Sequence, residues 1–333
     1  MQTLPTVSVV IPSYEHGTWI HTSINSVLAQ DWQDFEIIIT DDGSSDNTVQ
    51  QIQSIKDSRI DLKVFKKNRG AGLATNYGIS RARGEFIAIL NSDDYFAPKK
   101  LSTQVEFLRQ HPNVGAVFGW PALVDEQGNT FEQTDHKDFG VFQVANRNRM
   151  QWLRQFFDHG NCLCHPTVMI RKSCYEAVGL YDARLAQVPD LDMWVRLAMQ
   201  FEIYVLPEVL TYFRIQEGLQ NASARRVNVL VRDAWERRQV LRHFLQLSAE
   251  SCAQIFPEFL AQDEPNVAQF LGQRALKIGQ DTALTFFQDF GLEALYASLP
   301  ATANSWEDAD TRYRVFHQLT GSTDLYRIAD LLC

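Results

Sequence analysis

Residues 7–14 read VSVVIPSY, a β-branched run closed by Pro12, and this is the pattern of a buried strand. Ile20, Ile24, Val27 and Leu28 follow at helical spacing, and Phe35 to Thr40 is a second strand. The alternation continues. Val49, Ile52 and Ile55 mark a second helix with Ser45 or Asp46 as its N-cap, Leu62 to Phe65 a third strand, and Leu73 to Ala82 a third helix. Phe86 to Leu90 is a fourth strand, and Leu101, Val105 and Leu108 mark a helix opening near Pro98. Strands alternating with helices predict an α/β fold with a parallel, doubly wound sheet covered on both faces. Such sheets hold ligands beyond the carboxyl ends of their strands, so function is expected after strands one, two and four.

Downstream the pattern thins. Asp125 to Arg149 is polar and mixed and reads as a long excursion, Pro166 to Arg171 as a strand, and Leu191 to Phe201 as a helix. Ile203 to Leu206 and Leu210 to Phe213 read as a pair of short strands. From Arg225 onward, Val227, Leu230, Val231, Ala234, Leu241, Phe244 and Leu245 keep helical spacing with no strand-like run after them, which predicts an all-helical C-terminal extension. The 333 residues suit about two domains, and 45 % hydrophobic with 21 % charged residues is the balance of a globular chain with ample core. A net charge of -9, from 31 basic and 40 acidic residues, excludes a global basic field for nucleic acid. No run approaches the roughly 18 apolar residues of a membrane span. Met1 to Pro12 carries no basic leader region, so a soluble cytoplasmic enzyme is expected. Cys162, Cys164, Cys174, Cys252 and Cys333 are too few and too scattered for a disulfide framework.

Two strand ends carry paired carboxylates: Asp41-Asp42-Gly43-Ser44 and Asn91-Ser92-Asp93-Asp94. Adjacent carboxylates repel and persist at a strand end when a cation or hydrogen-bond donors engage them. A helix cap with a turn aspartate is the plain alternative at the first, and a solvated loop at the second. A hard divalent ion held by one or two carboxylates and completed by phosphate oxygens is the natural partner of the second pair. Between them lies Asn68 to Gly78 (NRGAGLATNYG), a Gly-rich turn that frees backbone N–H groups for a ligand. It is no dinucleotide fingerprint, because Thr75 takes the third glycine position and the loop follows strand three. Pro12-Ser13-Tyr14 occupies the place after strand one where a nucleotide-dependent oxidoreductase would carry its glycines.

These motifs in this order, with Pro98 and Leu101 after the last, resemble those of family 2 glycosyltransferases of the GT-A fold over residues 6 to about 215. The resemblance implies a Rossmann-like, mainly parallel sheet, a nucleotide-sugar donor (a UDP-sugar favoured), Mn²⁺ or Mg²⁺, and inversion at the anomeric carbon. It implies a catalytic domain over 1–222, with a nucleotide-sugar-binding half (1–110) and an acceptor half (111–222), before a helical region over 223–333. The acceptor would be a glycan, a lipid-linked glycan or a glycoprotein, with no nucleic acid involved. By the same resemblance Pro12, Tyr14 and Asp41 hold the donor base, Arg69 lies near the donor, and Asp93 and Asp94 fall at the ribose and metal site. Asp93 matches the metal ligand best, though the adjacent carboxylate leaves the choice open. Pro189 to Leu197 (PDLDMWVRL) resembles the acceptor-side motif and implies that Asp190 is the general base, a role worth roughly 10²–10⁴-fold. A helix N-cap is the plain alternative for Asp190.

Several positions depart from the family pattern. Pro189 stands for an acidic residue, Thr75 for an arginine, Asn91 for an aspartate, and Arg214-Ile215-Gln216 for Arg-x-His. Thr75 and Gln216 remove polar or cationic groups near the expected diphosphate. With Pro189 they support an alternative, a non-catalytic GT-A-fold partner in a glycosylation complex. Cys162-Leu163-Cys164-His165 lacks the second ligand pair of a zinc site, and the sequon Asn221-Ala222-Ser223 is expected to go unused. Arg225, Arg226, Arg232, Arg237, Arg238 and Arg242 give the 225–247 helix a basic face suited to peripheral contact with the inner membrane surface. A solvated face packed through its apolar stripe is the favoured reading. Phe286, Phe287, Phe290 and Tyr296 are expected in the core.

Overall fold

A computed structural model describes residues 4–132, 140–216, 227–262 and 266–298. The chain divides into two compact units, residues 1–233 and 234–333. The boundary expected at 222 lies outside the described residues, as do Asn221, Arg225, Arg226 and Cys333.

In the first unit, β1 (Val7–Ser13), β2 (Phe35–Asp41), β3 (Ile60–Val64) and β4 (Phe86–Ile89) alternate with α1 (Ile20–Leu28), α2 (Thr48–Ser54) and α3 (Ala71–Arg81). They are followed by β5 (Tyr95–Phe96), α4 (Lys100–Gln110), β6 (Val114–Val124) and α5 (Arg149–His159). β7 (Met169–Arg171), α6 (Lys172–Val178), α7 (Pro189–Gln200) and β8 (Glu202–Arg214) complete the sheet. One eight-stranded sheet runs β3-β2-β1-β4-β7-β6-β8-β5. β3, β2, β1 and β4 are parallel, as their β-branched runs predict. β7 then enters antiparallel to both β4 and β6, and β5 is antiparallel to β8. The sheet is therefore mixed, and the doubly wound parallel part ends at β4. β1 lies between β2 and β4, so chain order reverses beside it, and the carboxyl ends of these three strands are where sheets of this kind hold ligands. Ile20, Ile24 and Val27 of α1 and Leu101, Val105 and Leu108 of α4 fill one core with Val7, Val9 and Ile11.

Three local expectations change. The two short strands expected after residue 202 are one strand, β8, whose exposed Pro207-Glu208-Val209 break coincides with register shifts against β6. Pro166 lies in a 3-10 turn (His165–Thr167), which leaves β7 only three residues. The α2 N-cap is Asn47, although the Asp46 carboxylate still accepts from the Thr48 N–H at 2.9 Å.

α8 (Val227–Leu241) spans the division between the units, and α9 (Ala249–Ile255), α10 (Val267–Thr282) and α11 (Thr285–Ser298) follow with no strand among the described residues. α10 and α11 form a hairpin in which a Cβ on Gly272 would stand 2.9 Å from the Gly291 carbonyl oxygen, so the two backbones meet directly. Phe286, Phe287 and Phe290 are buried as expected, but Tyr296 is exposed. On α8, Val240 and Leu241 are buried while Leu230 and Val231 face solvent. Among the described residues no helix is long and apolar enough to cross a membrane.

Candidate active site

The turn after β2 divides its two carboxylates between two tasks. Asp41 Oδ1 accepts from the Gly43 N–H (3.2 Å) and the Ser44 N–H (2.9 Å), and Oδ2 accepts from Ser44 Oγ (2.6 Å). Gly43 takes φ +81°, and a Cβ there would fall 2.8 Å from the Lys67 carbonyl carbon, so the turn requires glycine. Asp42 reaches across to the Gly-rich loop, accepting from the N–H groups of Arg69 and Gly70 at 2.8 Å each. Its own N–H donates to the Ser13 carbonyl at 2.8 Å, so the ends of β1, β2 and the loop move as one piece. Arg69 is exposed, with its guanidinium over the Phe65 ring, and Tyr14 is 44 % exposed beside half-buried Pro12. Asp41, expected at the donor base, lies beneath this surface with none of its own exposed.

The loop after β4 separates its two aspartates as well. Asp94 turns inward, where Oδ1 accepts from the Arg214 N–H and Oδ2 from Asn91 Nδ2, both at 2.8 Å. Burial, reinforced by the charge of Asp93, pushes its carboxyl well above the usual carboxylate range. Asp93 keeps 12 % of its side chain open; Oδ2 accepts from Gln216 Nε2 at 2.8 Å and stands 4.0 Å from His16 Nε2. His16 Nδ1 pairs with Ser92 Oγ at 2.7 Å, which aims Nε2 at that carboxylate. Arg214, at the end of β8, donates from Nε to the Asp93 carbonyl and from Nη1 to the carbonyls of Asp125 and Glu126, all at 2.8 Å. Among the described residues no three His, Cys, Asp or Glu side chains form a ready-made metal cage. One partly open carboxylate is nonetheless the protein share expected for a magnesium-like ion that takes its remaining ligands from a diphosphate. Asp93 fits that share, and Asp94, committed to Arg214 and Asn91, does not.

On the acceptor side Pro189 is the first residue of α7, where its missing N–H costs nothing, and Asp190 falls inside the first turn rather than at the cap. Asp190 Oδ1 accepts from the Leu191 N–H at 2.8 Å and Oδ2 from Asn161 Nδ2 at 2.7 Å. Burial pushes the Cys164 thiol well up, and the charges of Asp94 and Asp190 push it further, so both carboxylates lie within electrostatic reach of it. His165 meets the Tyr181 hydroxyl at 3.0 Å, and burial drives its pKa down to about 4. The sequence reading names Pro12, Tyr14, Asp41, Arg69, Asp93, Asp94 and Asp190 as candidates; the structure adds the groups that contact several of them, His16, Asp42, Asn161, Arg214 and Gln216, which are not among those candidates. Asp42 is signalled by its adjacency to Asp41; His16 and Asn161 carry no local pattern at all.

The family model of Glycosyl transferase family 2 matches residues 8–178, just over half of the chain. The chain belongs to this family and is a transferase enzyme. It is 28 % identical over 216 residues to an uncharacterized glycosyltransferase of Methanocaldococcus jannaschii, covering 63 % of this chain and 71 % of that one. It is 31 % identical over 216 residues to a Bacillus subtilis protein named for teichuronic acid biosynthesis, covering 63 % and 79 %. It spans 35 % of a longer Rickettsia conorii relative. Staphylococcus aureus TarS, solved with UDP-GlcNAc, superposes with a TM-score of 0.62 at 18 % identity, over 87 % of this chain and 89 % of that one. A Pyrobaculum calidifontis mannosyltransferase solved with GDP-Man and Mn²⁺ gives 0.53 at 17 % identity, over 97 % and 82 %. At these identities the two structures establish the GT-A fold.

Proposed function

We propose that the chain is a metal-dependent, inverting glycosyltransferase that moves a sugar from a nucleotide-diphosphate donor, a UDP-sugar first, to an acceptor hydroxyl of a glycan, lipid-linked glycan or glycoprotein. What supports this reading is that Tyr14, Asp41 and Asp93 stand at or just after the carboxyl ends of β1, β2 and β4, which are neighbours in the sheet, while the charges of Asp94 and Asp190 both reach one buried thiol, Cys164. Tyr14 and Pro12 present an open face to the donor base, and Asp41, buried with three of roughly four lone-pair sites used by its turn, would reach a ring N–H only if the turn shifts to uncover it. Arg69 brings a cation to the same edge. Asp93 would hold the divalent ion, whose chemistry is to neutralise the charge growing on the departing diphosphate. Asp190 takes the proton as the acceptor oxygen attacks the anomeric carbon; the bond from that carbon to the diphosphate breaks, and the nucleoside diphosphate leaves. A single displacement from the face opposite the leaving group inverts the centre.

The catalytic domain on this reading is 1–222 and the helical region 223–333, with the reaction cytoplasmic and any membrane contact peripheral, through the basic residues of α8. In the first of the relevant assays, nucleotide release from UDP-GlcNAc, UDP-glucose and GDP-mannose is measured with and without Mn²⁺. Release from one of them that depends on Mn²⁺ is expected. Silence with every donor, together with no thermal shift from UDP plus Mn²⁺, would sink the enzyme reading.

A further inference from the structure

We propose that Asn161 is the positioning residue of the base: its side-chain amide aims the Asp190 carboxylate and keeps it ionised. The inference rests on Asp190 being the base, as proposed above. Its geometry is specific. Asn161 Nδ2 donates to Asp190 Oδ2 at 2.7 Å, while its Oδ1 accepts from the Leu163 N–H at 2.9 Å. The second bond fixes which end of the amide faces the carboxylate, since a rotated amide would set oxygen against oxygen. Asp190 Oδ1 is held by the Leu191 N–H at 2.8 Å, so a donor stands on each carboxylate oxygen and the plane of the group is set.

Asn161 is itself delivered by a rigid element. A capping box pins the start of α5, where Asn148 accepts from the Gln151 N–H and Gln151 answers the Asn148 N–H. Trp152, Leu153, Phe156 and Phe157 bury one face of that helix. Gly160 ends it at φ +77° and turns the chain toward α7. The amide thus joins two helices at the group expected to remove the proton.

A donor hydrogen bond favours the charged carboxylate, and a second carboxylate in its place disfavours it. The Cys164 thiol and the Tyr181 hydroxyl both feel the charge of Asp190; burial keeps both protonated through the neutral range, and His165, bonded to Tyr181, titrates lower.

Asn161→Asp and Asn161→Ala decide the matter in the full chain, with nucleotide release to water from the best of the three donors above as the assay. In Asn161→Asp the acid limb of the pH profile is expected to move up by about one unit, so that kcat on that limb, below the original midpoint, falls by up to about tenfold. The donor KM should stay within about twofold, because the donor contacts lie on other loops. Asn161→Ala should lower kcat with a smaller displacement of the limb. A carboxyl ¹³C titration of Asp190, assigned by its loss in Asp190→Asn, should show the same upward displacement without any turnover. An unmoved acid limb and an unmoved ¹³C titration overturn the proposal; so does a fall in kcat matched by loss of UDP binding, which marks a merely structural residue. If Asn161→Asp does not fold, the alanine variant and its titration carry the decision. Full activity in Asp190→Asn would instead overturn the base assignment itself. An inactive Asp190→Asn beside unaltered Asn161 variants would overturn this inference alone.

Discussion

Lowering the pH from 7 to 4 should destabilise the first unit through one side chain, His165. Its ring is half-buried against Tyr181 and Trp194, with ring centroids 5.5 Å and 5.9 Å away, and burial takes its pKa from an ordinary 6.5 to about 4. The unfolded chain therefore binds a proton between these values that the folded chain refuses. Stability from this group is complete above pH 6.5, falls as the pH drops, and levels off below about 4. The gap of about 2.5 pH units, at about 1.4 kcal/mol each, sets a ceiling of about 3.5 kcal/mol. The residual exposure of the ring brings the expected loss nearer 2 kcal/mol, an order-of-magnitude figure. Urea unfolding from pH 7.5 to 4 should be compared between the wild type and His165→Gln, which keeps a polar group near the Tyr181 hydroxyl but cannot titrate. The second unit is common to both proteins and cancels in the difference. An offset at neutral pH reports the altered hydrogen bond, on the order of 1 kcal/mol, and is not the test. The test is the slope: the wild type should lose its advantage across the window, and parallel curves would refute a neutral, buried His165.

Three further outcomes follow from the geometry. Gly43→Ala forces φ +81° on a residue with a Cβ that meets the Lys67 backbone, and should cost about 1–3 kcal/mol in thermal or urea unfolding. Asp42→Ala frees the Arg69 and Gly70 N–H groups and should raise donor KM several-fold with little change in kcat, read in a donor titration. Lys100 is fully buried, with Nζ on Gln104 Oε1 at 2.6 Å, and burial holds its pKa well below the usual lysine value. Lys100→Met should therefore be the more stable protein at pH 7, and its lead should narrow as pH rises toward about 10.4, where the unfolded lysine also becomes neutral.

The parallel half of the sheet could be read directly because its physics is local. β1, β2 and β4 are mostly apolar runs, broken inside only by Ser8 and Glu36 before the polar ends of β1 and β2, and the helices between them keep helical spacing. The other half could not. β6 runs through Gly115 and Gly119, whose small size admits the packed Cys174, Phe201 and Leu210 side chains, and β5 is two residues whose only strand pairing is to β8. The exposed Pro207-Glu208-Val209 step breaks the apolar pattern of β8 without breaking the strand, because bulges against β6 absorb it. The same division holds in the site. Carboxylates that close strands announce themselves, whereas His16, Asn161 and Gln216 act over separations of 29 to 123 residues that no local pattern encodes.

β8 has a consequence for how this protein tolerates change. At roughly 3.3 Å per residue its thirteen residues extend about 40 Å, from Glu202, which accepts from the Arg149 N–H, to Arg214, which holds both Asp93 and Asp94. The strand works as a ruler: its residue count sets where Arg214 and Gln216 arrive. Point substitutions on its exposed step leave that count alone, but inserting or deleting one residue there exchanges the two faces beyond it and carries Arg214 off the acidic loop. Length, more than composition, is what this strand has to preserve.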